Sequence, residues 1–190
     1  MLRALACSIV RRTVEPGPRP SRREEQRPPR FVSVAMGQST AIGAAALIPN
    51  PALAPLAFLI GEWRTSGTHP LVPGKALDGR ASFAWHEGGA FLVMRAEIDE
   101  PRFPSGVAII GSDDVAGTFA MTYFDERGIS RLFQVIVGDR TMTWRRDDPD
   151  FSQSATISAE NGGDTLVSKG RMSQKGGAWV DDLSQVYTRA

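Results

Sequence analysis

The groups that could do chemistry in this 190-residue chain are few. His69 precedes Pro70 at the end of a strand-like stretch and reads as a loop residue. His86 alternates with Trp85 and lies opposite Phe83, so it points outward if those two aromatics point inward. The two histidines are far apart, and no Asp or Glu is arranged around either, so spacing builds no metal site. Asp113-Asp114 and Asp181-Asp182 are adjacent pairs whose side chains would leave a strand on opposite faces, so neither is an acid–base pair. Cys7 is the only cysteine, which excludes an intrachain disulfide and any cysteine-based zinc or iron–sulfur site. No serine sits in a Gly-x-Ser-x-Gly turn, and no phosphate-binding loop is present. No catalytic residue is assigned, and a binding role is the expectation.

Arg131 is the most informative charged residue. It shares a strand face with Ile129, Phe133, Val135 and Val137. An arginine on an apolar face needs a partner or solvent. Two readings stay open. Its guanidinium fork meets two oxygens of an acidic ligand, with Tyr123 one strand earlier assisting. Otherwise it sits at the strand end and pairs with Asp125 or Glu126 at the hairpin rim. Met142, Trp144 and Arg146 share another face, and Gln153 and Gln185 are further candidates for polar groups in a cavity. The expected ligand contacts are Phe83, Trp85, Met94, Met121, Tyr123, Arg131, Phe133 and Trp144.

The elements that must position these residues are strands. From Ala57 onward, strand signals recur at short intervals, near 58–68, 79–87, 90–99, 106–112, 117–125, 129–137, 140–147, 152–160, 164–173 and 178–189. Gly88-Gly89, Gly138-Asp139, Asn161-Gly162-Gly163-Asp164 and Lys175-Gly176-Gly177 supply turn chemistry between them. Alternation is clear: Leu92, Met94, Ala96 and Ile98 oppose Arg95, Glu97 and Asp99, and Phe119, Met121 and Tyr123 oppose Thr118, Ala120 and Thr122. Period 2 without intervening helices rules out a parallel α/β sheet. The fold class is therefore all-β, an antiparallel up-and-down barrel of about ten strands, because closure removes exposed edges. Ten strands leave more interior than side chains interspersed with Gly, Ala and Ser fill, so a pocket is expected.

Before the strands, Asn50-Pro51 is a helix start, and Pro55 limits it to one or two turns. Leu53, Leu56 and Leu59 give this short N-terminal plug one apolar side. Residues 1–48 read as a disordered tail and residues 49–190 as the barrel. Within residues 1–30 eight arginines face three glutamates, a surplus of five positive charges. With a net charge of +1 for the whole chain, the remainder carries a deficit of four. Five prolines in 11–30 and little apolar side chain fit a disordered segment. An upstream extension with Met36 as the working start explains it most simply. A basic arm for nucleic acid lacks interleaved aromatics, and no run reaches the roughly 18 apolar residues of a membrane span. A cytoplasmic protein, monomeric or homodimeric, with no nucleic-acid or membrane partner, is the expectation.

Gly61-Glu62-Trp63-Arg64-Thr65-Ser66-Gly67 resembles the first-strand motif of the calycin superfamily, in which the tryptophan packs against a basic residue of the last strand. Trp63 and Arg189 match those two roles, and the resemblance implies a latch between them. Residues 50–190 more closely resemble a bacterial family of uncharacterised lipocalin-like domains related to nitrobindins. The matching stretches are Pro55 to Trp63, Trp85-His86-Glu87-Gly88-Gly89-Ala90-Phe91-Leu92, Tyr123 to Gly128 with Arg131, and Trp144-Arg145-Arg146 with Phe151-Ser152-Gln153. The resemblance implies a ten-stranded barrel that holds a small, largely apolar molecule. Fatty-acid-binding barrels of the superfamily use interior arginine and tyrosine for a ligand carboxylate, the roles that fall to Arg131 and Tyr123. Nitrobindins hold haem through a histidine late in the chain. Here both histidines lie in the first half, so no cofactor is expected, and a haem protein is one alternative. A barrel filled with side chains, acting as an interaction module through an apolar patch on the Pro101–Pro104 loop, is the other.

Overall fold

The computed structural model describes residues 47–190. The expected tail falls outside them but for its last two residues, as do Cys7 and the start at Met36. The strands are β1 (Gly61–Thr68), β2 (Leu77–His86), β3 (Phe91–Ile98), β4 (Gly106–Asp113), β5 (Thr118–Asp125), β6 (Ser130–Gly138), β7 (Thr141–Arg146), β8 (Phe151–Glu160), β9 (Thr165–Gln174) and β10 (Val180–Arg189). Each pairs antiparallel with its sequence neighbours, and β1 pairs with β10, so the ten strands form a closed barrel. The meander read from the alternation is the fold, and closure leaves no unpaired edge.

Pro51–Leu59 is a 3-10 helix. Its prolines explain the choice. Neither Pro51 nor Pro55 can donate a backbone hydrogen bond, and three residues per turn stack Leu53, Leu56 and Leu59 on one side. All three are fully buried in the core. Asn50 Oδ1 accepts from the Ala52 N–H at 3.0 Å, capping the start. The Asn50 side-chain amide donates to Ser112 Oγ at 2.9 Å, and its backbone N–H donates to Gly89 O. The helix is thereby tied to the β2–β3 turn and to the end of β4.

First and last strands close through Trp63. Its indole N–H donates to Leu59 O at 2.9 Å, and the Arg189 guanidinium lies 3.9 Å from the centre of its ring. Arg189 also donates to Ile60 O at 2.6 Å. Gly61, at φ 141, makes this approach feasible: a Cβ there would collide with the guanidinium.

The direction of the meander divides the barrel into two ends. The helix, the turns after β2, β4, β6 and β8, and Arg189 gather at one end. The loops after β1, β3, β5, β7 and β9 gather at the other. On β3, β7 and β8 inner-face burial falls from the first end to the second, whereas on β2 Leu77 is buried at the second end. Leu92, Met142 and Ile157 are fully buried, whereas Met94, Ala96 and Ile98, then Trp144 and Arg146, then Ala155 and Gln153, are only partly buried. Trp63, Phe83, Leu53, Leu56 and Leu59 are among the large side chains that fill the helix end. The helix leucines and Trp63 pack one end as a floor, and the inner faces of β3, β7 and β8 loosen toward the other end, the mouth; the hollows described below lie on the outer wall and not in the expected interior pocket.

Candidate functional site

The mouth is built from five strands and two loops. Arg131, near the start of β6, pairs across the ladder with Tyr123 of β5. Its Nη1 donates to Gln153 Oε1 at 2.8 Å, and its guanidinium carbon lies 5.0 Å from the centre of the Phe151 ring. Gln153 opposes Arg146 of β7 in the ladder, and the Gln153 amide donates to Asp182 Oδ2 at 3.2 Å. Asp182 lies where the β9–β10 register shifts between Asp181 and Ser184. Its other oxygen accepts from His69 Nε2 at 2.7 Å. The backbone N–H of Leu71 donates to His69 Nδ1 at 3.0 Å, which places the proton of the neutral ring on Nε2. A continuous chain thus runs His69–Asp182–Gln153–Arg131 around the rim.

Neighbouring groups hold this chain in place. The Phe103 ring packs edge-on against His69 at 5.0 Å. Glu100, buried in the same loop, accepts from Arg102 Nε at 2.6 Å and from Lys75. Those two hydrogen bonds pull its carboxyl from the ordinary 4.5 down to about 2. Arg146 donates to Phe151 O at 2.7 Å and to Asp148 at 2.6 Å, which fixes the β7–β8 turn and the ring beneath Arg131.

Electrostatics single out Arg131. Among the described residues it forms no ion pair with a carboxylate. Asp125, which was one of its two expected partners, is taken by Arg127 at 2.7 Å, and the other, Glu126, is exposed. The hairpin-rim pairing is therefore replaced by the bond to Gln153. Burial, then the nearby Arg146 and Arg127 cations, push the Arg131 pKa down, so its charge is under-compensated where it stands. Tyr123 is pushed up, first by burial and then by Asp125, so it stays a neutral phenol.

The expected contacts divide by height in the barrel. Met94, Tyr123, Arg131 and Trp144 are partly buried and face the open half. Phe83, Met121 and Phe133 are buried in the core. Trp85 does not join them. It lies beyond Phe83 at the helix end, is 36% exposed, and borders an outer hollow of about 320 Å³ with Pro51, Ala54 and Gly89. A second hollow of about 500 Å³ runs along the outer wall past Arg64, Arg80 and Thr188.

His69, expected as a plain loop residue with no acid near it, is 7% exposed and bound to Asp182. The signal was available. His69 stands six residues after Trp63, and six residues before Arg189 is Leu183, next to Asp182, so pairing the first and last strands brings them together. The Pro101–Pro104 loop is not an apolar patch, since Phe103 packs on His69. Exposed apolar residues lie instead on the outer barrel wall, at Ile109, Phe124, Leu132 and Ile136.

No known family model matches the chain, and no curated protein does. Among solved structures, the crystal structure of Rv2717c from M. tuberculosis is similar. It is 20% identical, with 74% of this chain and 98% of that chain covered at a TM-score of 0.50. That likeness shows a shared fold, and the architecture fits a calycin-like barrel.

The histidines do not fit axial ligation of a haem inside such a barrel. Both ring nitrogens of His69 are engaged, and His86 is exposed at the opposite end, stacked on Phe91 at 5.2 Å. Among the described residues no cluster of three or more His, Cys, Asp or Glu could hold a metal ion. No helix among them is long and apolar enough to cross a membrane.

Proposed function

We propose that the protein binds a small, largely apolar molecule bearing an acidic group, with the acid at Arg131 and the apolar body against Met94, Tyr123 and Trp144. One observation carries this reading: Arg131 is an inward-facing, partly buried cation with no carboxylate partner among the described residues. A desolvated charge is costly unless something pairs with it. An oxyanion presented to the free edge of the guanidinium supplies that pair with two-point geometry. A closed ten-stranded barrel is compatible with a binding role, which is an argument from fold analogy.

The test is a titration of the full chain with dodecanoate and with dodecanol, followed by tryptophan fluorescence. Saturable binding of the acid is expected. Arg131→Ala should weaken it about tenfold or more, while leaving the alcohol unaffected; tenfold corresponds to about 1.4 kcal/mol. Equal affinity of wild type and Arg131→Ala for the acid, or no binding of any acid by the wild type, would sink the proposal.

A further inference from the structure

The outer face of the barrel differs around its circumference. On β1, β2, β3 and β9 it carries charges, among them Arg64, Arg80, Glu97 and Lys169. From 107 to 111 on β4, 118 to 124 on β5 and 130 to 138 on β6, every outward position is uncharged. The apolar members of this wall stand together. Ile109 opposes Thr122, which opposes Leu132, and Val107 opposes Phe124 in the adjacent row. Ile136 is two outward positions beyond Leu132 on β6. Ile109, Phe124, Leu132 and Ile136 are all exposed, the last two by 65% and 68%.

These strands are apolar on both faces. Val107-Ala108-Ile109-Ile110, Leu132-Phe133 and Val135-Ile136-Val137 are unbroken apolar runs. A strand with one face in water alternates, whereas runs of this kind belong to strands covered on both sides. The barrel core covers one side, at Ala108, Ile110, Phe133 and Val135. Among the described residues nothing covers the other.

We propose that this wall is the interface of a homodimer, in which β4–β6 of one copy packs face to face on β4–β6 of a second. A two-fold interface sets a patch against itself, so a charge near its centre meets its own like. A wall without charges avoids that repulsion. Its flanks carry both signs, Arg95 and Glu97 on β3, and Arg145 with Asp147 at the end of β7. A two-fold axis along the strands sets the β3 flank of each copy against the β7 flank of the other, where cation and anion are present on both sides. The area also fits a second copy. The four exposed apolar side chains present about 400 Å², and the outward Thr, Ala, Ser and Gln bring the wall to roughly 700 Å², close to the ~800 Å² that each partner gives a standard interface. Arg131 points inward from the strand on which Leu132 points outward, so the dimer leaves the mouth free and does not depend on the acid-binding reading.

The experiment is sedimentation velocity of the full chain from low micromolar to submillimolar concentration. Wild type is expected to pass from monomer to dimer and no further, because a two-fold contact closes on itself. Leu132→Glu puts a charge on the wall and should raise the dissociation constant about tenfold or more. Ile136→Glu should do the same, and carries the test if Leu132→Glu fails to fold. Val186→Glu makes a like change at an exposed apolar residue of β10, five strands from β5 around the ring, and should leave the dimer intact. Thermal melts check that each variant is folded. A wild type that stays monomeric throughout, one that grows beyond a dimer, a dimer that survives both wall substitutions, or one weakened equally by Val186→Glu would each overturn the inference.

Discussion

Gln153 stands between Arg131 and Asp182, its oxygen 2.8 Å from the guanidinium and its nitrogen 3.2 Å from the carboxylate. Because one end must accept and the other donate, the amide cannot flip without losing both bonds. The arginine is therefore aimed by a neutral group and keeps its charge for something else. Gln153→Glu would put a carboxylate where the amide oxygen now sits and pair Arg131 internally. Acid binding should fall about tenfold or more, a cost of about 1.4 kcal/mol. Dodecanoate titrations of the two proteins check this, and unchanged affinity would show that Arg131 does not receive the acid.

Gly106 sets the position of Tyr123. A Cβ at Gly106 would stand 2.5 Å from Tyr123 Cε2 and 2.7 Å from its hydroxyl oxygen. Gly106→Ala must therefore move the ring that flanks Arg131. Overpacking of this kind costs about 1–3 kcal/mol. The same substitution in a Tyr123→Ala background should cost far less, since the obstructing ring is gone. Denaturant melts of the four proteins in this double-mutant cycle give the coupling. Additive effects would mean that the ring is not held by the glycine.

The strands were legible because turn chemistry and alternation agree. Gly88-Gly89 and Lys175-Gly176-Gly177 lie where the chain reverses, and Leu92, Met94 and Ala96 share one face of β3. Height along the barrel was less legible. Phe83 and Trp85 have the same parity, yet only Phe83 is in the core, because β2 runs on past the floor to the helix. Alternation fixes a face but not a depth. The His69–Asp182 pair was hidden for a related reason. It exists only once the first and last strands close, and it falls at an irregularity in β10 that simple alternation does not cover.

The closure between β1 and β10 makes its own prediction. Arg189→Ala removes an exposed cation–π contact and a charged hydrogen bond to Ile60 O, together worth about 1–2 kcal/mol. For a domain of this size the melting temperature should drop by roughly 2–8 °C. Gly61→Ala should cost more, because it strains φ and also displaces the guanidinium. In an Arg189→Ala background the added cost of Gly61→Ala should shrink to the strain alone. Thermal melts of the three variants check the ordering, and a Gly61→Ala milder than Arg189→Ala would contradict the latch.

Glu100 should govern part of the acid sensitivity of the mouth. Its carboxyl ordinarily titrates at 4.5, and in the folded protein the Arg102 and Lys75 hydrogen bonds hold it down to about 2. The folded state therefore binds this proton less readily than the unfolded chain does. The stabilisation is complete above pH 4.5 and is lost as pH falls through about 2. Asp125, lowered first by its bond to Arg127, acts in the same direction. Glu100→Gln should be less stable than wild type at neutral pH, and the difference should narrow as the pH is taken from 4.5 toward 2. Denaturant melts of both proteins across that window measure it. A difference that stays constant with pH would show that the carboxylate contributes through shape alone and not through its charge.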